Sequence, residues 1–320
     1  MPESAPAPIS DAERNRLTRA ITTASVAVAV SLIVLKTWAL WMSGSVAVLA
    51  TLMDSSLDLI ASLLTFLAVR WAAVPADHDH RHGHGKAEAL AALVQAGLVF
   101  ASAIFVGVTA VRRMINPVPI EAGGWAIAVM LVSMLMTGFL VYAQSRVVRR
   151  TGSIAIAGDR AHYTADLGAN AVVIIGVASG VWLNAPGMDA AAGLIVGIWL
   201  FWGAFGLLRE AGDHLLDRTS DPATDAMIVA LVEQDPAINN VHQLRTRRVG
   251  HRLFVQLHLD LDPDMSLRQA HDHVVEAENR IRAHFPGADV IIHPDPRGHA
   301  ERRTEGTSVP VTDDAGGQGA

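Results

Sequence analysis

Two pairs of side chains able to ligate a metal, each pair four residues apart, interrupt apolar runs of this sequence. Asp54 and Asp58 fall inside "VLATLMDSSLDLIASLLTFLAV", and His162 and Asp166 fall in "AHYTADLGANAVVIIGV". Residues four apart share a helix face, with Cβ atoms about 6 Å from one another. One charged side chain at the centre of a membrane span costs roughly 2.5–3.5 kcal/mol. Two like charges on one face also repel each other. A cation held between two such helices offsets both penalties. Three carboxylates and one imidazole suffice for a four-coordinate site for Zn2+ or a related divalent ion. Two other readings stay open on the residues alone: an internal hydrogen-bonded network that includes Lys36, and a proton or sodium relay without a metal.

The elements that must position these residues are membrane spans. The chain has 320 residues, 51% hydrophobic and only 18% charged, with a mean hydropathy of +0.32. That is too apolar for an ordinary soluble enzyme. Apolar segments lie at about 21–42, 46–70, 88–111, 124–145, 163–183 and 188–208, each long enough to span as a helix. The third is least defined at its start, where Glu88 and Gln95 sit. Short uncharged loops are expected at 43–45 and 184–187. The apolar run after the first polar residues is long enough for a span, so no cleavable leader is expected. Lys36 sits near the outer end of the first span, where snorkelling is the ordinary expectation and pairing with an acid of the bundle the alternative.

Basic residues set the orientation. Arg14, Arg16 and Arg19 precede the first span, Arg70, Arg81 and Lys86 flank the loop after the second, and Arg146, Arg149, Arg150 and Arg160 surround the loop after the fourth. The opposite side has only Arg112 and Arg113. The positive-inside rule then places both termini in the cytoplasm. The formal charge of −6 argues against non-specific nucleic-acid binding. With no cysteine there is no disulfide, thiolate nucleophile or sulfur metal site. A membrane metalloenzyme lacks support as well, since no H-E-x-x-H occurs.

After Asp217 the pattern changes. Residues 222–235 read as an amphipathic helix, "NVHQLRTRRVG" and "HRLFVQLHLDL" as strands with Gly250 at the turn, 266–284 as a helix and "ADVIIHPD" as a last strand. The expected fold is therefore an α-helical membrane protein with six transmembrane helices plus a small C-terminal cytoplasmic α+β domain, in the order α-β-β-α-β. The domain limits are 1–19 for an N-terminal cytoplasmic segment, 20–210 for the membrane domain and 211–297 for the soluble domain. Residues 298–320 read as a disordered tail.

The stretches "DSSLD", "PADHDHRHGHGKAEALAAL", "HYTAD", "LLDR", "HQLRTR" and "VIIHPDP" resemble, in order and spacing, the cation diffusion facilitator family in its bacterial ferrous-iron/zinc efflux branch. The resemblance runs from about residue 20 to 297. It implies a homodimer in the lipid bilayer of the inner membrane, with a metallochaperone-like cytoplasmic domain. It implies export of Zn2+ or Fe2+, with Cd2+, Co2+ and Mn2+ left open, in exchange for protons. By this resemblance Asp54, Asp58, His162 and Asp166 form the transport site, a set the family associates with zinc, cadmium and iron. Asp77, His80 and His84 match a second site in the loop, which also carries His78 and His82. His242, His258, His271, His293 and Asp295 match a binuclear zinc site near the dimer interface. Lys86 and Asp217 match a salt bridge where membrane and soluble parts meet. His251, His273 and His284 match no site and are read as surface residues. A non-transporting metal sensor or assembly factor of the same fold is the alternative.

Overall fold

The computed structural model describes residues 10–43, 46–116, 124–178 and 188–298. The expected tail after Gly298, the loop at 184–187 and most of the loop at 43–45 lie outside these. The chain divides into two compact units, Met1–Leu215 and Leu216–Ala320.

Six long helices make the first unit: α1 Asp11–Ser43, α2 Val46–Ala72, α3 Lys86–Ile115, α4 Gly124–Thr151, α5 Ile154–Ala178 and α6 Met188–Leu215. Among the described residues, five of them are long and apolar enough to cross a bilayer, and α5, which carries Asp159, Arg160 and Asp166, is not one of the five. Large apolar side chains point away from the bundle, among them Leu57 on α2 and Leu135 and Phe139 on α4. Such a surface suits lipid, where helices satisfy their own backbone groups. The inward faces carry small residues instead. On α6, a Cβ at Gly197 would meet the Gly107 backbone at 3.2 Å, and one at Gly193 would meet the Ala110 Cβ at 3.1 Å. Small residues four apart let α3 and α6 approach closely, the usual basis of helix packing in membranes.

Helix α5 packs on α2, α3, α4 and α6, which makes it the central strut. It begins at Ile154, nine residues ahead of the apolar run expected from 163. Its early polar residues hide it from a hydropathy reading, yet Ile154, Ala155, Ile156 and Asp159 are all buried. Glu88 explains the entry: its carboxylate accepts from the Ser153 hydroxyl and from the Ile154 and Ala155 backbone. A carboxylate there satisfies orphan N–H groups at a helix N-terminus. The same residue blurred the start of α3 in the sequence.

The second unit contains α7 Pro222–Val232, β1 Val241–Val249, β2 Arg252–Leu261, α8 Leu267–His284 and β3 Asp289–Pro296. The expected order α-β-β-α-β is observed. Strand β2 is central, antiparallel to β1 and parallel to β3. Gly250 makes the β1–β2 turn at φ 59°, a conformation that glycine adopts without strain. Helix α7 starts with Pro222 after the N-cap Asp221, whose carboxylate accepts from the Thr224 N–H. A Ser266–Gln269 capping box starts α8. Ile228, Val232, Val255, Leu257, Leu259 and Ile281 form the core between helices and sheet.

Candidate metal sites and family

The i,i+4 pairs lie well inside their helices, and α2 and α5 are in contact. His162 Nε2 stands 3.2 Å from Asp58 Oδ1 and 3.9 Å from Asp166 Oδ2. Asp58, His162 and Asp166 form a three-ligand group whose donor atoms lie within 4.8 Å of one another. Asp58 and His162 are buried, and His162 Nδ1 has no hydrogen-bond partner among the described residues. Asp54 is one turn away on α2 and exposed, outside that group, although its charge acts together with those of Asp58 and His162.

Lys36 corrects the snorkelling expectation. It is only 7% exposed, and its ammonium donates to the Thr51 carbonyl at 3.0 Å and the Ser55 hydroxyl at 2.6 Å, both on α2. The reason is local: α1 packs on α2, and the Thr51 carbonyl and the buried Ser55 hydroxyl give the ammonium partners there.

Asp159, one turn before His162, was not singled out by the sequence reading. It is almost completely buried, and several side chains donate to it. Gln144 Nε2 reaches its Oδ2 at 2.8 Å, and the Ser62 hydroxyl reaches its Oδ1 at 3.2 Å. Gln95 Nε2 lies at 3.5 Å from Oδ1 and also bonds the Ala61 carbonyl and the Thr65 hydroxyl on α2. Gln144 Nε2 bonds Ser25 on α1, and Tyr163 Oη pairs with Ser62 at 2.8 Å. The network ties α1 to α5 together beside the metal-ligand group. A second acid on α5, at i−3 from His162, was the available signal.

The loop between α2 and α3 folds around Asp77. Its Oδ1 accepts from the backbone N–H groups of Asp79 at 3.0 Å and His80 at 2.6 Å. The His80 N–H leads the causes that hold this carboxyl below the ordinary carboxylate range. His80 Nδ1 lies 3.3 Å from Oδ1 and His84 Nε2 3.2 Å from Oδ2, so Asp77, His80 and His84 form a second three-ligand group. His84 is buried, with Nδ1 at 3.4 Å from the Val74 carbonyl. A carbonyl on the second ring nitrogen fixes the tautomer that leaves Nε2 free to ligate. Trp71, which the sequence reading passed over, packs on both imidazoles. His78 and His82 are exposed and outside the group.

In the second unit, strand register does what sequence distance conceals. His242 pairs across from His258, and His258 from His293, which aligns three imidazoles in one row across the sheet. Asp295 is their hub. Its Oδ2 lies 2.9 Å from His258 Nδ1 and 3.2 Å from His242 Nε2, and its Oδ1 lies 3.3 Å from His293 Nε2. A bulge between His242 and Arg245, with Gln243 at φ 51°, re-aims the start of β1. Asp260 Oδ1 stands 3.8 Å from His242 Nδ1 and is an unanticipated member. Both β2 and β3 carry His-x-Asp, whose period of two puts the acid on the face of the histidine. Both nitrogens of His242 and Asp260 Oδ1 are buried without hydrogen-bond partners among the described residues, which fits a divalent ion seated there. His271 is exposed on α8, outside the His242–His258–Asp295 group.

Three more expectations meet the structure. His273 is half-buried rather than freely exposed, and its Nδ1 lies 2.7 Å from Asp235 Oδ2. Asp217 pairs with Arg247 at 2.9 Å inside the second unit. Lys86 Nζ donates to the Leu215 carbonyl at the end of α6 at 3.3 Å.

A helical bundle with potential metal ligands on facing helices, and a second unit with a row of histidines, is the arrangement of a class of membrane proteins that handle cations. The family profile described as the cation efflux transmembrane domain matches residues 22–216, and that of the cation efflux protein cytoplasmic domain matches residues 221–297. The chain belongs to the cation diffusion facilitator family. It is 38% identical to the cation-efflux pump FieF of Salmonella arizonae over 88% of this chain and 93% of that protein. It is 38% identical to the FieF of Cronobacter sakazakii, over 91% and 97%. The metal-bound C-terminal domain of the CzcD transporter from Thermotoga maritima is 31% identical over 25% of this chain and 93% of that one, with a TM-score of 0.24. The protein is thus a multi-pass membrane transporter that exports divalent metal cations, and it is not an enzyme.

Proposed function

We propose that this transporter is a homodimeric, inner-membrane antiporter that moves Zn2+ or Fe2+ out of the cytoplasm in exchange for protons, with both termini cytoplasmic. Asp54, Asp58, His162 and Asp166 hold the transported ion. The observation that carries this reading is the buried approach of His162 to Asp58 and Asp166 between two membrane helices. Carboxylates and imidazole bind metal only when deprotonated, so metal and protons compete for the same atoms. Imidazole suits such exchange near neutral pH. Carriers with a site near mid-membrane expose it alternately to either side. Oxygen and nitrogen ligands without sulfur favour Zn2+, Fe2+ and their neighbours over Cu(I).

Asp77, His80 and His84 form the loop site of the same proposal. His242, His258, His271, His293 and Asp295 form the cytoplasmic site, whose ion steadies the dimer by mass action. Lys86 and Asp217 form a salt bridge between membrane and soluble parts. The test is flux of Zn2+ and Fe2+ by the purified full-length protein in vesicles under a defined pH gradient. Flux that rises with an inward proton gradient is expected. Flux indifferent to the gradient would refute antiport, and binding without flux would favour a sensor.

A further inference from the structure

Lys36 is a buried charge that the transport chemistry above does not use. Its ammonium is anchored to the Thr51 carbonyl and the Ser55 hydroxyl of α2, and Ser55 lies fully buried between Asp54 and Asp58 in the sequence of that helix. Three acids of the proposed transport site, Asp58, Asp54 and Asp166, act electrostatically on it. A protonated lysine has no lone pair and cannot itself ligate a metal. It can still set the charge that the metal meets.

When the ligands are deprotonated for metal binding and Lys36 keeps its proton, these five groups of the pocket (Lys36, His162 and the three acids) carry two net negative charges. One divalent ion neutralises them. Without Lys36 the same pocket would carry three, and an occupied site would keep one uncompensated charge inside the bundle. Charge of that kind is strongly felt where water is scarce. The extra attraction would hold the ion longer.

We infer that Lys36 is a fixed internal cation that matches the transport site to a single divalent ion and keeps binding weak enough for release. The lysine acts through its field and not by touching the ion. Its two bonds to α2 hold it beside the site. This rests on the transport-site reading given above.

The experiment compares Zn2+ flux against Zn2+ concentration in vesicles at one fixed pH gradient for the full-length protein and four variants. Lys36→Gln keeps a donor for Thr51 or Ser55 and removes the charge, Lys36→Met removes both, Lys36→Arg keeps the charge, and Asp58→Ala reports on the site itself. The neutral variants are expected to lower KM by about tenfold, the effect of one nearby charge in partly screened surroundings, and to lower kcat as release slows. Lys36→Arg is expected to stay near wild type in both. An unchanged or raised KM in the neutral variants overturns the inference, as does Lys36→Arg behaving like them. Failure of both neutral variants to assemble beside an intact Lys36→Arg also counts against it, since the charge would then serve the fold. Wild-type flux in Asp58→Ala would bring down the transport-site reading and this inference with it. Lost flux in Asp58→Ala with wild-type KM in the Lys36 variants would overturn the inference alone.

Discussion

His162 Nε2 on α5 and Asp58 Oδ1 on α2 stand 3.2 Å apart, and both side chains are buried. Neither helix could carry its polar pair alone at low cost in a bilayer. Together they leave acceptor atoms facing one point, with Asp166 completing the group. Replacing Asp58 or Asp166 by alanine should lower gradient-driven Zn2+ flux by more than about a hundredfold, beyond the loss typical of an outer-shell partner. The assembled protein should still elute at its normal volume. Flux within about tenfold of wild type in either variant would remove that residue from the site.

The Asp159 network predicts a different defect. Removing its carboxylate leaves one amide N–H of Gln144 and the Ser62 hydroxyl short of an acceptor inside the bundle, while Gln95 keeps the Ala61 carbonyl and the Thr65 hydroxyl. Each unsatisfied buried group costs about 1–3 kcal/mol, somewhat less where membrane neighbours substitute. Asp159→Ala is expected to lower the thermal midpoint in detergent by several degrees. Asp159→Asn should cost less, because the amide side chains can flip to meet it. Equal midpoints for Asp159→Ala and wild type would show that the network carries no stability.

How far the sequence reveals these features depends on the distance over which each is specified. The i,i+4 pairs were legible because helix periodicity alone puts them on one face. The strand row His242–His258–His293 was not, because register across three strands is a tertiary property, reached here only through resemblance. Asp159 was passed over, and Gln95 was read only as a blemish at the start of its span, since one polar residue in a span has a local explanation until its neighbours on other helices are known. The start of α5 was misplaced for a related reason: hydropathy counts Asp159 and Arg160 as water-facing, while Asp159 faces the bundle. Lys36 shows the same limit, since snorkelling and burial look alike in sequence.

Asp235 yields a pH prediction in the soluble domain. Burial alone would push its carboxyl up, but the Ala237 N–H, the His273 ring and the Arg280 guanidinium together hold it below its ordinary value. A carboxyl depressed in the folded state adds stability that is fully present above the unfolded value, near 3.9, and is lost as pH falls through the folded value. Asp235→Ala should therefore lower protection of β2 amides against hydrogen exchange at neutral pH, by an amount equivalent to about 1–2 kcal/mol. The gap to wild type should narrow as the pH drops below about 4. A gap that widened in acid would contradict the assignment.

The histidine row makes a prediction about metal removal. If a divalent ion seats between His242, His258 and Asp295, free Zn2+ at about 100 times its dissociation constant stabilises the folded unit by about 2.7 kcal/mol. Chelation should then speed amide exchange in β1, β2 and β3 of the full-length protein, and Zn2+ should reverse the change. Asp295→Ala should abolish the response, because this carboxylate meets three imidazoles. Asp260→Ala should weaken Zn2+ binding by roughly 10–100-fold if Asp260 supports His242 as an outer-shell partner. The intramembrane ligands lie in the other unit, so Asp58→Ala should leave this response intact. A Zn2+ response that survives Asp295→Ala would place the stabilising ion elsewhere.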